Sequence, residues 1–235
     1  MNPLNWLQKQ CRVRPRARRT GREKRDRLGR NSVVDPSVQV YGWKNIRVGS
    51  DTIVSEETLI NAMNRETDEV TLSIGDNCFI GRCNYFNVGG GEILWGSYCL
   101  TANDCRFLGT DHKVDDPFVP YLAGTVSAEE DIVIGANCWL GCAVTMLKNV
   151  HVGYGSIIGA ATVVTGNIPP LSIVVGNPGR VVKRYSLNRK QWLPASEYSA
   201  EEQLPDETAY LARLRQCYPY LRGPLQGSSR RFGDF

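Results

Sequence analysis

Between Ile134 and Val164 a large aliphatic side chain returns at every sixth position: Ile134, Leu140, Met146, Val152, Ile158 and Val164. Glycine follows four of them directly, at Gly135, Gly141, Gly153 and Gly159. The fifth place of each hexad holds Cys138, Val144, Val150, Ser156, Thr162 or Ile168, each small or β-branched. An α-helix has no six-residue period, and this much glycine weakens it further. The period fits short strands joined by turns. The first and fifth places face inward, and the others face solvent or turn the corner. Hexapeptide repeats of this kind indicate a parallel β-helix.

The same phase returns upstream in pieces: Val48, Val54 and Ile60; Ile74, Ile80 and Phe86; Trp95, Thr101 and Phe107. Cys78, Cys99 and Cys105 then share the inward fifth place with Cys138, which makes them core residues first. Three slips separate the runs. The polar segment from Asn61 to Glu69 fills the first, and Gly89-Gly90-Gly91 lies in the second. No Gly-Lys-Ser/Thr follows the glycines, so they read as a corner loop and not as a phosphate loop. The third slip, between Phe107 and Ile134, holds Gly-Thr-Asp-His-Lys-Val-Asp-Asp-Pro-Phe-Val-Pro. A loop projecting from a rigid solenoid is where function usually sits. The repeat then runs to about Val175, and Pro169-Pro170 and Asn177-Pro178-Gly179 end it. Further on, Pro205-Asp206-Glu207 opens a helical pattern with Leu211, Leu214 and Cys217 on one face, and Asp206 suits its N-cap.

Charge divides the 235 residues unevenly. Residues 1–30 hold eleven Lys/Arg against Glu23 and Asp26, while the whole chain is only +4. This arm reads as a solvated extension or as an attachment to an anionic surface, with Leu4, Trp6 and Leu7 inserting among lipid headgroups. It has one aromatic residue and no reader motif, so nucleic acid is not an expected partner. No apolar run reaches membrane-spanning length, and the start lacks the apolar core of a signal peptide. The expected location is cytoplasmic, with peripheral attachment at the inner face of the membrane as the arm's option. The eight cysteines include no CxxC and are expected as reduced thiols, without a metal.

The run Ile134-Gly-Ala-Asn-Cys-Trp-Leu-Gly-Cys-Ala-Val-Thr and the closing Val175-Gly-Asn-Pro-Gly-Arg-Val-Val-Lys resemble the left-handed β-helix, hexapeptide-repeat acyltransferases. Within that family the likeness is to sugar and polysaccharide O-acetyltransferases of the maltose/galactoside type. The resemblance implies a mainly β chain: a basic arm over 1–32, a left-handed parallel β-helix over 33–185 and a short α-helical extension over 186–235. It also implies acetyl-CoA as co-substrate, a sugar or polysaccharide acceptor and a homotrimer with each site between neighbours. The left hand comes from the resemblance alone, since parallel crossovers are normally right-handed.

Only two histidines are present. His151 takes the sixth place of its hexad and should face idly outward. His112 lies in the projecting loop beside Asp111, near Asp115 and Asp116, and matches the family's catalytic histidine. A histidine titrates near neutrality, so it can take a proton from an attacking hydroxyl and pass it to a leaving thiolate. Asp111 is the candidate to orient it. The resemblance carries the oxyanion or thioester contacts to the backbone at Gly141 and Cys142. Direct transfer needs no thiol nucleophile there. Trp139, outward at a sixth place, would wall the acetyl end. With 18 residues to a coil, Gly141, Gly159 and Asn177 should stack about 4.8 Å apart. Together with Ala160 they would leave a groove for an extended pantetheine arm. Arg180 and Lys183 at its end suit coenzyme A phosphates. One coil below His112, Asn84, Tyr85 and Asn87 could hydrogen-bond a sugar ring. Two histidines are too few for the three-histidine zinc site of a γ-class carbonic anhydrase, and the short arm cannot be the helical domain of a serine acetyltransferase. A noncatalytic β-helix scaffold or an antibiotic acetyltransferase are the remaining alternatives.

Deleting residues 1–30 is expected to leave acetyl transfer to a soluble acceptor within a few-fold. Any binding to anionic vesicles should weaken with salt, because exposed charges are screened over about 8 Å at physiological ionic strength. A folded but inactive truncation contradicts this.

Overall fold

The computed structural model describes residues 26–63, 69–125, 130–199 and 201–218. The basic arm up to residue 25, including Leu4, Trp6 and Leu7, lies outside the described residues, as do residues 64–68 and the C-terminal residues from 219 onward. Among the described residues, short strands form sheets of nine, six and five strands. Each coil passes from the five-stranded sheet to the nine-stranded one and then to the six-stranded one. Ile132–Ile134, Trp139–Leu140 and Thr145–Leu147 show this order. All pairings within the coils are parallel. This is the three-sheet parallel solenoid that the hexads predict, of the kind typical of the left-handed β-helix. The strands are only two or three residues long because each six-residue unit also has to turn a corner. Asn77, Asn137 and Asn149 take left-handed turn positions, with φ of 56°, 57° and 58°, a conformation asparagine adopts more readily than most residues.

First-place side chains fill the interior. Val54, Ile80, Phe86, Phe107, Leu140, Met146, Val152 and Ile158 are all fully buried. At mid-height Phe86 stacks on Phe107 with ring centroids 4.5 Å apart, and Trp95 meets Phe107 edge-on at 4.9 Å. The fifth place does more than fill space. Its short polar side chains donate to turn carbonyls one coil further on. Thr52 Oγ1 reaches the Gly75 carbonyl at 2.8 Å, and Thr58 Oγ1 reaches that of Gly81 at 3.2 Å. The thiols of Cys78, Cys99, Cys105 and Cys138 reach Gly96, Gly135, Gly141 and Gly153 at 3.2, 3.2, 3.2 and 3.4 Å. All four cysteines are buried, as their shared register predicts.

Partner residues in adjacent coils show where the repeat is interrupted. Trp139 pairs with Ile157, 18 positions on, while Leu100 pairs with Trp139, 39 positions on. The third slip is therefore one long excursion within a single coil. The last coil is short: Ile157 pairs with Ile173 and Val152 bridges Ile168, each only 16 positions on. The chain then reverses through antiparallel strands Ser172–Val175, Arg180–Ser186 and Gln191–Pro194, so the nine-stranded sheet continues past residue 185.

The helix Glu207–Cys217 is capped as predicted: Asp206 Oδ1 accepts the Ala209 N–H at 2.7 Å. Its docked side is Tyr210, Leu211 and Leu214, whereas Cys217, expected on the same face, is exposed. Glu207 Oε1 accepts the Ala136 N–H at 2.6 Å, and Tyr210 packs on Tyr154 with centroids 4.4 Å apart. Outward on the nine-stranded sheet, Ile53, Phe79, Leu100, Trp139, Ile157 and Ile173 form one register-aligned apolar column. Leu100 and Trp139 are 42% and 50% exposed, so part of this column is uncovered in one chain. No helix among the described residues is long and apolar enough to cross a membrane.

Burial pushes the Cys99 thiol well up and the Cys105 thiol up to about 11, which holds those two in the thiol form. Native protein should therefore react with an aromatic disulfide at Cys83, Cys142 and Cys217, with Cys78, Cys99, Cys105 and Cys138 labelled only on unfolding. Mass spectrometry of labelled peptides checks this. Rapid native labelling of Cys99 contradicts it.

Candidate active site

The excursion that carries His112 leaves the solenoid after strand Arg106–Leu108, at the corner between the six- and five-stranded sheets. It returns at Ile132–Ile134. His112 is exposed, and its backbone N–H donates to Asp111 Oδ1 at 2.8 Å. The Asp111 carboxylate is thus engaged with the main chain that carries the imidazole. Further along, Asp116 Oδ1 accepts the Phe118 N–H at 2.9 Å, and the Lys113 N–H donates to the Thr125 carbonyl at 2.9 Å. These bonds shape a hairpin-like tip, on which Phe118 is 94% exposed.

The triple glycine takes part in placing this loop. Gly89 has φ +70°, and a Cβ there would lie 2.2 Å from Thr110 Cβ, two residues before His112. A Cβ on Gly109 would lie 2.6 Å from the Val88 carbonyl oxygen. The loop base is seated directly on the glycine turn one coil below. The sequence reads that turn only as a corner. Its one signal is a glycine at a left-handed position, which is legible once the register of the two coils is known.

The expected acceptor residues divide. Tyr85 and Asn87 lie on the strand paired beneath Arg106–Leu108, half-buried and outward. Asn87 Oδ1 accepts from Asn61 Nδ2 at 3.1 Å, directly under the loop base. Asn84 is a correction. It is fully buried in the inward fifth place, four residues after Ile80. Its Nδ2 reaches the Gly81 carbonyl at 2.8 Å, Thr101 Oγ1 at 2.9 Å and the Ala102 carbonyl at 3.2 Å, while Oδ1 accepts the Cys105 N–H at 2.7 Å. No polar atom of that side chain is left for a ligand. The glycine-loop insertion obscures the acceptor register, but the hexad phase itself marks Asn84 as inward.

The second group of residues occupies a different corner, between the nine- and six-stranded sheets. Trp139 is half-exposed on the last strand before it. Gly141 and Gly159 stack as predicted: a Cβ on Gly141 would lie 2.7 Å from the Ala160 nitrogen. Asn177 does not continue the column. The last coil is two residues short, so Gly159 meets Val175, whose Cγ1 would lie 2.8 Å from an added Cβ. Asn177 falls instead in the turn between strands Ser172–Val175 and Arg180–Ser186. Gly179 packs further on, against Thr162, and donates to the Val163 carbonyl at 2.7 Å. Arg180 follows it at the top of the corner, and Lys183 lies exposed on the adjoining strand. Neither cation has a carboxylate partner among the described residues.

Backbone donors line this corner. The Gly141 N–H, one of the two backbone donors the resemblance points to, is committed to the Ile158 carbonyl at 2.8 Å. Among the described residues the N–H groups of Cys142 and Ala160 have no acceptor, and both residues are exposed. At the matching places lower down, the Asn103 N–H likewise has no acceptor among the described residues, and the Arg82 N–H is capped by Asn103 Oδ1 at 3.1 Å. Two free donors thus lie one above the other, beside side chains no larger than cysteine. Unpaired backbone donors at a surface seek an acceptor, and an extended amide-bearing chain supplies acceptors at intervals. One chain does not bring His112 to this corner, because a whole sheet face separates them.

No family model matches the chain. A Staphylococcus aureus protein, named a putative acetyltransferase, is 36% identical over 146 residues, which are 57% of this chain and 72% of the relative. A probable acetyltransferase of Mycobacterium tuberculosis is 33% identical over 133 residues, 57% of this chain, and the match spans only 43% of that longer protein. WbbJ of Escherichia coli, named a putative lipopolysaccharide biosynthesis O-acetyl transferase, is 26% identical over 121 residues, 52% of this chain and 61% of the relative. Among solved structures, a mutant of AntD, an N-acyltransferase from Bacillus cereus in complex with dTDP and coenzyme A, shares the fold. Its TM-score is 0.57 at 16% identity, covering 69% of this chain and 85% of that one.

Asn84→Ala strands a buried N–H and buried carbonyls, each worth about 1–3 kcal/mol. The expected loss is on the order of 3 kcal/mol, a drop in Tm of roughly 6–12 °C, read by thermal unfolding. A fully stable variant that has lost acceptor binding alone would return Asn84 to the site.

Proposed function

We propose that this chain, which belongs to the hexapeptide-repeat acetyltransferase family, transfers an acetyl group from acetyl-CoA to a hydroxyl of a sugar or polysaccharide unit. The observation that carries the reading is the corner at Cys142 and Ala160: free N–H donors stacked on consecutive coils, beside small side chains, with unpaired cations at the upper end. That set fits coenzyme A. A pantetheine amide would accept from the Ala160 N–H, and Arg180 and Lys183 would bind phosphates. Trp139 would wall the acetyl end. The sugar acceptor is supported by the likeness to WbbJ and by the half-buried Tyr85 and Asn87 under the His112 loop.

The chemistry divides between the two corners. His112 takes the proton as the acceptor hydroxyl attacks the thioester carbonyl carbon. The Cys142 N–H donates to the carbonyl oxygen as negative charge develops there. The carbon–sulfur bond breaks, and His112 returns the proton to the departing thiolate. Asp111 holds the backbone turn that presents the imidazole. Since His112 and Cys142 lie on different corners, the site is complete only where two copies meet. The uncovered Leu100 in the lower part of the apolar column supports a homotrimer that covers it. The positive arm of residues 1–30 suits recruitment to an anionic membrane surface.

His112→Ala should lower turnover by roughly 10²–10⁴-fold, followed as free thiol released with a proven acceptor. Coenzyme A affinity and thermal stability should hold, because the groove and the core are built elsewhere. His151→Ala should be silent in all three measurements. Wild-type turnover in His112→Ala contradicts the mechanism.

A further inference from the structure

A cavity of about 380 Å³ opens on the nine-stranded face, on the side of Trp139 away from Cys142. Three separate elements build it. The solenoid contributes Asn137, Trp139 and Ile157; the terminal hairpin contributes Tyr185 and Trp192; the C-terminal helix contributes Tyr210. None of these partners except Trp139 was singled out by the repeat, and only the final reversal of the chain brings them together.

The rings are held in place. Tyr185 and Trp192 are cross-strand partners whose rings meet edge-on, with centroids 5.3 Å apart and planes at 72°. Tyr210 is fixed by stacking on Tyr154 and by Asn137 Nδ2, which donates to its hydroxyl at 2.6 Å. The helix carrying Tyr210 is in turn tied to the solenoid through Glu207 and the Ala136 N–H. Among the described residues, none that lines it is charged. The volume is in the range of small-ligand pockets, which combine apolar walls with a few polar groups.

We propose that this cavity is a saccharide subsite that holds a neutral sugar unit of the acceptor next to the one being acetylated. Four aromatic rings offer flat apolar faces to the C–H faces of a pyranose. The Asn137 amide and the Tyr210 hydroxyl, one apolar end and one wet end, meet its hydroxyls. The uncharged lining rejects phosphate or carboxylate groups, which would be buried without a counter-charge. Trp139 is the shared wall: one side faces the corner where acetyl is delivered, and the other faces the cavity. A chain of sugars crossing Trp139 would present one unit to the thioester and rest its neighbour among the rings. The subsite rests on the acetyl-transfer reading for its place in the reaction, but its binding chemistry can be measured without it.

The test titrates the full-length protein with neutral trisaccharides (maltotriose, mannotriose and N,N′,N″-triacetylchitotriose), read by tryptophan fluorescence. At least one should give saturable quenching. Trp192→Ala, and Leu187→Glu at the cavity rim as a second variant that spares the ring pair, should each weaken it tenfold or more. Their coenzyme A affinity should change less than twofold. No saturable response from any trisaccharide overturns the subsite, as does unaltered affinity in both variants. Quenching by adenosine in place of sugar overturns it by making the rings a base platform. A lower oligomer mass in the variants with unchanged sugar affinity overturns it by making the cavity a subunit seam. If His112→Ala abolishes transfer while no sugar binds, the subsite falls and the transfer reading stands. If the wild type binds no coenzyme A, that reading falls and the titration still decides the subsite.

Discussion

The structure depends on the pairing of each coil with the next. A strand of two or three residues has no stability of its own, so every strand lends its backbone groups to the coils above and below. The corners would leave carbonyls unmatched, and the inward fifth place answers that need. Thr52, Thr58, Cys78, Cys99, Cys105 and Cys138 each donate to a turn carbonyl of the next coil. A hydrogen bond of this kind adds about 1 kcal/mol net, but leaving the acceptor bare in the interior would cost more. The cysteine ladder belongs to this arrangement. A thiol is small enough for the corner and apolar enough for the core, and still donates.

This rigidity allows the chain to depart from the repeat at chosen places. The 39-position step from Leu100 to Trp139 throws out the His112 loop while the coils on either side stay in register. Gly89 removes the side chain that would collide with Thr110, so the loop base rests on the coil below. The 16-position step from Ile157 to Ile173 has the opposite effect. It ends the solenoid early and turns the chain back, which sets Gly179 against Thr162 and Val163 and folds Trp192 and Tyr210 around the outer face of Trp139. Both ends of the candidate groove therefore follow from changes in coil length.

The division of the site between corners follows from the same geometry. A triangular solenoid keeps each corner's residues in one column, and no side chain reaches from one corner to the next across a sheet. The donor column at Cys142 and Ala160 and the imidazole of His112 therefore stay a sheet face apart within one chain, and the apolar column beside Trp139 is partly uncovered there.

By itself the sequence determined the solenoid, the inward registers, the burial of four cysteines, the projecting loop with its histidine, and the Asp206 cap. Each is a local or strictly periodic property: a six-residue spacing states which side chains point inward wherever the phase is unbroken. It also contained the answer at Asn84, since the position four after Ile80 is inward; the expected place one coil below His112 pointed the other way. Tertiary structure alone decided what depends on coil length. It moved Asn177 out of the column and Val175 into it, and committed the Gly141 N–H while leaving those of Cys142 and Ala160 free. It also gathered Trp139, Tyr185, Trp192 and Tyr210 from three elements. The physical reason is that a repeat specifies direction at each position but not which positions become neighbours; a coil two residues shorter changes every contact above it without altering a single hexad below.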